Sequence, residues 1–214
     1  MNNYLEHAEI LTIDDMDLPV YTKKGPLIPS CLVAIKSTFD RALDQYPRTL
    51  LLRLDLRYPQ GFSSEKVSSK QITKFQESFK AIMCAYLKRK SHNRHSKPRF
   101  IWCKEKANSG NPHYHVAVLL NGDVFKGIGP YDDLTGEYFS GMITKAWASA
   151  TGLSVEQVSS AVYFAENGRC EINKRCDKEI YDNQYNQAFY RVSYFAKKES
   201  KLSGNGRSFD YSRY

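Results

Sequence analysis

Two histidines separated by one residue, His113 and His115, form the most informative pattern in this sequence. The segment is typical of a strand, on which alternate side chains project to the same side, so both imidazoles can approach one cation. Val116, Val118 and Leu120 have the opposite parity. We therefore expect their face to meet the core and the histidine face to be the more open one. An HxH pair alone is not specific, but this parity favours a metal site over packing.

Glu105 supplies a third ligand in the same prediction. It lies eight residues before His113, at the end of a predicted strand, and residues 106–112 form the loop of a hairpin. Folding back would bring its carboxylate beside both imidazoles. Two nitrogens and one carboxylate oxygen suit Mn²⁺ or another transition ion better than Mg²⁺, because imidazole is a poor magnesium ligand. The alternative is that Glu105 is only a solvated hairpin charge beside two lysines.

A second group of reactive side chains lies on a predicted final helix, from Tyr185 to Ser200. Tyr190, Tyr194 and Lys197 are spaced by four and three residues, so they share one helix face. An ordinary phenol is only about 0.1% ionised at neutral pH, and an adjacent ammonium group would favour the phenolate. A bound divalent ion would orient a phosphate for in-line attack by such a group. The same spacing also fits an amphipathic helix with packed tyrosines.

The charge balance favours a polyanionic partner. The 214 residues include 31 Lys and Arg against 23 Asp and Glu, giving a net charge of +8 and a pI near 9.1. Nucleic acid is the commonest partner for such an excess. No stretch approaches the ~20 apolar residues that span a bilayer, and the N-terminal residues lack a signal-peptide pattern. We therefore expect an intracellular protein without a membrane partner. The five cysteines form no CxxC pair, which disfavours a zinc knuckle or disulfide framework.

The rest of the pattern predicts the elements that position these residues. In the strand from Thr49 to Tyr58, the leucines at 52, 54 and 56 alternate with Arg53, Asp55 and Arg57. Strands interleaved with helices predict a single α+β domain, with one antiparallel sheet covered by helices. The other predicted elements are an N-terminal arm or short helix, helices from Cys31 to Gln45, Ser63 to Lys90 and Phe139 to Ala150 (closed by Gly152), and strands over Arg99–Glu105, His113–Leu120, Ser160–Ala165 and Arg169–Asn173, the last two around an Asn-Gly turn.

Three segments together resemble the HUH endonucleases, and most closely the rolling-circle replication initiators (Rep proteins) of filamentous phages and related prophage elements. They are the strand Leu50–Leu56 (LLLRLDL), Glu105 with His113-Tyr114-His115, and Tyr194–Lys197 (YFAK). The resemblance spans about residues 48–200 and implies an RRM-like sheet of five antiparallel strands. Residues 1–47 would then form an arm and a helix packed on this domain, and residues 201–214 a polar tail.

The resemblance implies nicking and joining of single-stranded DNA at a replication origin, in some cases a hairpin. The expected intermediate is a 5′-phosphotyrosine with a free 3′-hydroxyl that primes synthesis, formed with Mn²⁺ or Mg²⁺. Tyr194 matches the nucleophile. Tyr190 is a second candidate, ranked lower because Ser193 stands where its lysine would be expected. Since no GxxxxGK[ST] loop is present, we expect a host helicase and DNA polymerase as partners, in the bacterial cytoplasm.

Cations are predicted to contact DNA phosphates. Many of them belong to a basic run that leads into the Glu105 strand, so we expect this run to adjoin the site; its His92 and His95 are expected to be DNA contacts or bystanders. The predicted contacts are Arg53, Arg57, Lys88, Arg89, Lys90, Arg94, Lys97, Arg99 and Lys198. Two alternatives stay open: a mobilisation relaxase or single-strand transposase with the same chemistry, and a non-catalytic DNA-binding regulator.

Overall fold

The computed structural model describes residues 5, 9–91, 93–105, 111–198 and 207–214. A five-stranded antiparallel sheet in the order β6-β3-β5-β4-β7 forms its centre, and a two-stranded hairpin, β1-β2, lies apart from it. The predicted α+β class with one five-stranded antiparallel sheet and flanking helices is confirmed. The strands are β1 Ile10–Ile13, β2 Met16–Pro19, β3 Arg48–Leu56, β4 Arg99–Glu105, β5 His113–Asn121, β6 Val162–Asn173 and β7 Phe209–Tyr211.

Helices cover both faces of the sheet. They are α1 Pro29–Gln45, α2 Gln71–Arg89, α3 Phe139–Thr151, α4 Val155–Ser159 and α5 Lys178–Ser193, with short 3-10 turns at Ser64–Lys66 and Tyr194–Ala196. Helix α3 ends, as predicted, at Gly152, whose φ of +75° is in the left-handed region that glycine favours. None of the helices in the described part of the chain combines the length and apolar composition needed to cross a bilayer.

The leucines of β3 divide between two hydrophobic clusters. Leu52 and Leu54 are fully buried on the face covered by α2 and α3, where Trp147 also lies. Leu51 is fully buried on the opposite face, in a cluster that includes residues of α1 and α5. Two covered faces explain why β3 contains three consecutive leucines, residues 50–52, before its alternation starts.

Both faces of β5 are covered, and the histidine face is the more open one only at the ends of the strand. Ala117 and Leu119 share the parity of His113 and His115, and both are buried in the second cluster. Helices α1 and α5 pack over this face along most of the strand. Partial exposure is limited to the two ends of the strand, His113 and Asn121, and 20% of the His113 side chain is accessible.

Strand β6 is one bulged strand rather than two strands around an Asn-Gly turn. Both halves pair with β3, and the register shifts between Leu52 and Leu54, so that residues 165–168 bulge opposite Arg53. A Cβ at Gly168 would lie 2.7 Å from the Arg53 carbonyl oxygen, which explains the glycine. Because both halves find their partner on the same strand, the predicted turn becomes a bulge.

The final helix ends earlier than predicted. Helix α5 stops at Ser193 instead of Ser200, and a single 3-10 turn, Tyr194–Ala196, follows it. Residues 196–198 then pair with residues 26–28 through two backbone hydrogen bonds of 2.9 and 2.8 Å. This long-range pairing replaces the helical bonds that would have continued the helix.

Both chain ends hold strands that were not predicted. The predicted N-terminal arm contains the β1-β2 hairpin, whose turn residues Asp14 and Asp15 have positive φ values of 49° and 60°. Within the predicted polar tail, β7 pairs with β4 and closes one edge of the sheet. His92, residues 106–110 of the predicted hairpin loop and residues 199–206 lie outside the described residues.

Candidate active site

The three predicted metal ligands meet at one end of the β4-β5 pair. Glu105 and His113 are direct partners in the ladder, so the hairpin register alone brings them together. Glu105 Oε2 lies 3.2 Å from His115 Nε2 and 3.8 Å from His113 Nε2, and the two Nε2 atoms are 3.2 Å apart. One ligand atom from each residue lies within 4.8 Å of the others, close enough to share one cation.

Burial and neighbouring charge set the protonation of these ligands. Burial alone would raise the pKa of Glu105, but the hydrogen bond with His115 and the positive charges of His115 and Lys197 lower it to about 2. Burial lowers the pKa of His113, and the charge of His115 lowers it further. Glu105 is therefore ionised and His113 neutral at neutral pH, which are the forms that bind metals.

Asp55 was not assigned to the site from the sequence, but it holds His115 in place. The two residues are partners in the β3-β5 ladder, and Asp55 Oδ1 lies 2.6 Å from His115 Nδ1. Burial would lower the pKa of His115, but its contacts with Asp55 and Glu105 raise it above the ordinary value. The contact orients the ring so that Nε2 faces Glu105. In the sequence, Asp55 stood out only as the one acidic residue between Arg53 and Arg57 on the same face of the predicted strand.

Tyr194 places its hydroxyl at the edge of the cluster of Glu105, His113 and His115. Its Oη donates a hydrogen bond of 3.3 Å to Glu105 Oε2, and its ring packs edge-on against His115 with centroids 5.4 Å apart. The Arg53 guanidinium and the Lys197 ammonium lie 5.3 and 5.6 Å from the ring centroid. Burial and the Glu105 charge nevertheless raise the pKa of Tyr194, so the phenol is protonated beside the bare carboxylate.

Tyr190 lies one helical turn before Tyr194 and faces a cleft. The ring of Tyr21 packs edge-on against both tyrosines, with centroid distances of 5.6 and 5.8 Å. The cleft has a volume of about 380 Å³ and is lined by Tyr21, Lys24, Arg53, Tyr190, Arg191 and Tyr194. Both predicted tyrosines therefore line one cleft, and Tyr194 is the one that bonds to Glu105.

Comparison with known proteins places this chain in a family. Residues 13–212 match the model of the YagK/YfjJ C-terminal domain. The chain belongs to the YagK/YfjJ family. It is 30% identical to YfjJ of Escherichia coli (strain K12) over 197 residues, covering 84% of this chain and 91% of YfjJ. It is 32% identical to YagK of the same strain over 174 residues, covering 76% of this chain and 82% of YagK. Neither relative's name specifies an activity, and no solved structure matches the chain.

In this YagK/YfjJ chain the basic run does not adjoin the metal ligands, so that prediction is wrong. Strand β4 begins at Arg99 and reaches Glu105 only at its other end, about 20 Å away at the usual rise per residue. Arg99 is 5% exposed and donates to Gln45 Oε1 and to the Tyr214 carbonyl oxygen, at 2.6 and 2.7 Å. Its guanidinium is buried and forms its hydrogen bonds within the fold.

Four other cations of the run have contacts with groups other than the predicted ligands. Arg89 and Lys90 form ion pairs with Glu137, Arg94 lies 4.0 Å from Asp123, and Lys97 lies over the ring of Tyr214. Lys88 is exposed in the last turn of α2. The run therefore forms a separate basic surface rather than part of the site.

Three predicted DNA contacts do lie near the ligands. Arg53 is over the Tyr194 ring, and the exposed Arg57 lies 3.5 Å from Asp55 Oδ2. Lys198 is exposed just after the 3-10 turn that carries Tyr194. Tyr21, Lys24 and Arg191 were not predicted as part of the site. Tyr21 and Lys24 meet the tyrosines only through tertiary packing, whereas Arg191 directly follows Tyr190 in α5.

Proposed function

We propose that this chain cleaves and rejoins single-stranded DNA through a covalent bond to Tyr194, with help from a divalent metal. The observation that carries the proposal is the position of Glu105 Oε2, which lies 3.2 Å from His115 Nε2 and 3.3 Å from Tyr194 Oη. A tyrosine hydroxyl is thus adjacent to side chains that could hold a metal ion. Metal-assisted transfer of a phosphodiester to a protein nucleophile needs this arrangement.

The side chains of the site fit a metal ion. Two imidazole nitrogens 3.2 Å apart face one carboxylate oxygen, and Glu105 Oε1 is buried without a hydrogen-bond partner among the described residues. Glu105, His113 and His115 would hold the ion, and this donor set favours Mn²⁺ over Mg²⁺. The ion would neutralise negative charge on Glu105 and on the phosphate. The charge of Glu105 is, after burial, the main cause of the raised pKa of Tyr194. Offsetting that charge would make the phenol easier to ionise.

The chain's own residues have distinct tasks in the proposed reaction. Arg53 and Lys197 flank the Tyr194 ring and stabilise its phenolate after the proton passes to water. The phenolate oxygen attacks phosphorus, the bond between phosphorus and the 3′-oxygen breaks, and that oxygen takes a proton from water. The products are a 5′-phosphotyrosine and a free 3′-hydroxyl. Attack by a 3′-hydroxyl in the reverse direction rejoins the strand and releases Tyr194.

A surface next to the site supports a single-stranded substrate. Tyr163 is the ladder partner of Asp55 in β6, so both lie on the site's face of the sheet. Tyr163 is 49% exposed, and the Arg57 guanidinium lies 5.6 Å from the centroid of its ring. An exposed aromatic ring with an adjacent cation suits an unstacked base and its phosphate, which a duplex does not offer.

The biological role that we propose is initiation of rolling-circle replication at the origin of a phage or another mobile element. The order and spacing of the three motifs, which resemble those of Rep proteins, support this role. The proposed partners are single-stranded origin DNA, which can form a hairpin, and the host helicase and DNA polymerase of the bacterial cytoplasm. Mobilisation and transposition would use the same chemistry on a different DNA target.

Metal-dependent cleavage of DNA tests this proposal. The protein is incubated with an end-labelled, random-sequence single-stranded DNA library in Mn²⁺, Mg²⁺ or EDTA. We expect cleavage in Mn²⁺, less in Mg²⁺ and none in EDTA, and His113→Ala should abolish it while His95→Ala, in the distant basic run, should not. Cleavage that survives both EDTA and His113→Ala would refute the metal's role. Binding of the library without cleavage under any condition would favour a non-catalytic DNA-binding regulator.

A further inference from the structure

The cleft beside Tyr194 combines aromatic walls with positive charge. Tyr194 belongs to both sites, since its hydroxyl bonds to Glu105 while its ring lines the cleft. Tyr21 forms the aromatic wall of the cleft together with Tyr190 and Tyr194, and its ring contacts both of theirs. Its backbone N–H donates to Ser193 Oγ at 2.9 Å, which fixes its position. The cleft is therefore formed by packed residues before any ligand binds.

Three cations line this cleft, and among the described residues that line it none is acidic. Arg53 Nε is buried and has no hydrogen-bond partner in the described part of the chain. Arg191 donates to the carbonyl oxygen of Asn167 in the β6 bulge, which holds its guanidinium at the cleft. Lys24 is exposed in the segment that follows β2. A buried donor without an acceptor, beside two further cations and no acid in the lining, favours an anion in the cleft.

We propose that the cleft binds a second phosphate of the DNA strand, that of a nucleotide next to the scissile linkage, with its sugar or base against the tyrosine rings. This inference rests on the proposed function, which puts the scissile phosphate between Tyr194 and the metal ligands. A volume of about 380 Å³ suits one nucleotide. The aromatic walls favour a nucleotide over an acidic peptide, because a base has a face to stack on them and a carboxylate side chain has none.

Tyr190 is part of the wall of the cleft, and this position predicts its role. Tyr190 lines the cleft without the Glu105 contact that Tyr194 makes. Its task would be to pack against the bound nucleotide, so Tyr190→Phe should retain binding, whereas Tyr190→Ala should weaken it. If Tyr190 acted only as a second nucleophile, its hydroxyl would matter and its ring would not. Tyr190→Phe would then impair cleavage as much as Tyr190→Ala, and both variants would bind the nucleotide as the wild type does.

Binding of thymidine 3′,5′-bisphosphate in EDTA, measured by titration calorimetry, tests the inference. We expect saturable binding to the wild-type protein and about tenfold or greater weakening in Lys24→Ala and Arg53→Gln. Thymidine without phosphate should bind far less. Arg175→Gln, which removes an exposed guanidinium paired with Asp123, is the matched control and should bind as the wild type does. Because Lys24 is exposed, its substitution leaves the core untouched.

Two results would overturn the inference: no binding of the bisphosphate at millimolar concentration, or wild-type affinity in Lys24→Ala and Arg53→Gln. Equal competition by a poly-glutamate peptide would assign the cleft to acidic peptides instead. Failure of the proposed function is distinguishable, because this binding needs neither metal nor cleavage. A protein that binds the bisphosphate but never cleaves DNA keeps a nucleotide site. A protein that cleaves DNA while Lys24→Ala binds normally loses only the cleft proposal.

Discussion

Replacing Asp55 by asparagine should weaken metal binding without disrupting the fold. Asp55 Oδ1 lies 2.6 Å from His115 Nδ1, and both side chains are only 8% exposed. The carboxylate fixes which ring nitrogen faces Glu105 and would make His115 a better donor to a bound metal. Asparagine has nearly the same volume, and its amide oxygen can still accept from Nδ1–H, so the substitution removes mainly the charge.

The loss should be 10–100-fold in the dissociation constant for Mn²⁺, the usual effect of removing such a supporting carboxylate. This corresponds to about 1.4–2.8 kcal/mol of binding free energy. Asp55→Ala should lose more, because it also leaves the buried His115 Nδ1–H without its acceptor.

Titration calorimetry with Mn²⁺ measures this effect, and a thermal melt establishes that each variant is folded. Glu171→Gln is the matched control, because Glu171 is a partly exposed carboxylate on β6 that bonds to Arg48 instead of a metal ligand. We expect Glu171→Gln to bind Mn²⁺ as the wild type does. A folded Asp55→Asn protein with wild-type Mn²⁺ affinity would refute the assigned role of Asp55.

Two further predictions concern packing and DNA contact. Gly141→Ala should destabilise the fold by about 1–3 kcal/mol in urea unfolding, because the new Cβ would lie 2.2 Å from Asp133 Oδ2. The control Gly127→Ala, with nothing within 4 Å of its Cβ, should change stability by less than about 0.5 kcal/mol. Arg57→Ala should reduce the salt dependence of single-stranded DNA binding by about 0.7 in log–log slope. Lys88→Ala, in the last turn of α2, should affect cleavage less than Arg57→Ala does, and equal losses of cleavage would contradict the separation of the two surfaces.

The cluster of Glu105, His113 and His115 could be predicted because its geometry is local. Glu105 and His113 are joined by a short hairpin, and strand alternation puts His113 and His115 on one side. Asp55 lies sixty residues from His115 in the chain. Its role depends on which strand pairs with β5, and a single sequence does not determine this.

The position of Tyr194 beside Glu105 agrees with its motif, but its backbone was not predicted correctly. The helical pattern continues past Ser193, whereas the chain leaves the helix to pair with residues 26–28. The basic run was misplaced for a related reason, since adjacency in sequence to β4 says nothing about which end of that strand holds the site. In both cases a tertiary contact determined what local pattern did not.

Identification of the residue that becomes linked to DNA tests the central claim most directly. The protein is reacted with single-stranded DNA in Mn²⁺, the DNA is trimmed by nuclease, and the modified peptide is sequenced by mass spectrometry. We predict a nucleotide linked through phosphate to Tyr194, an adduct that is retained in Tyr190→Phe and lost in Tyr194→Phe. An adduct on Tyr190, or one that persists in Tyr194→Phe, would contradict the proposed mechanism.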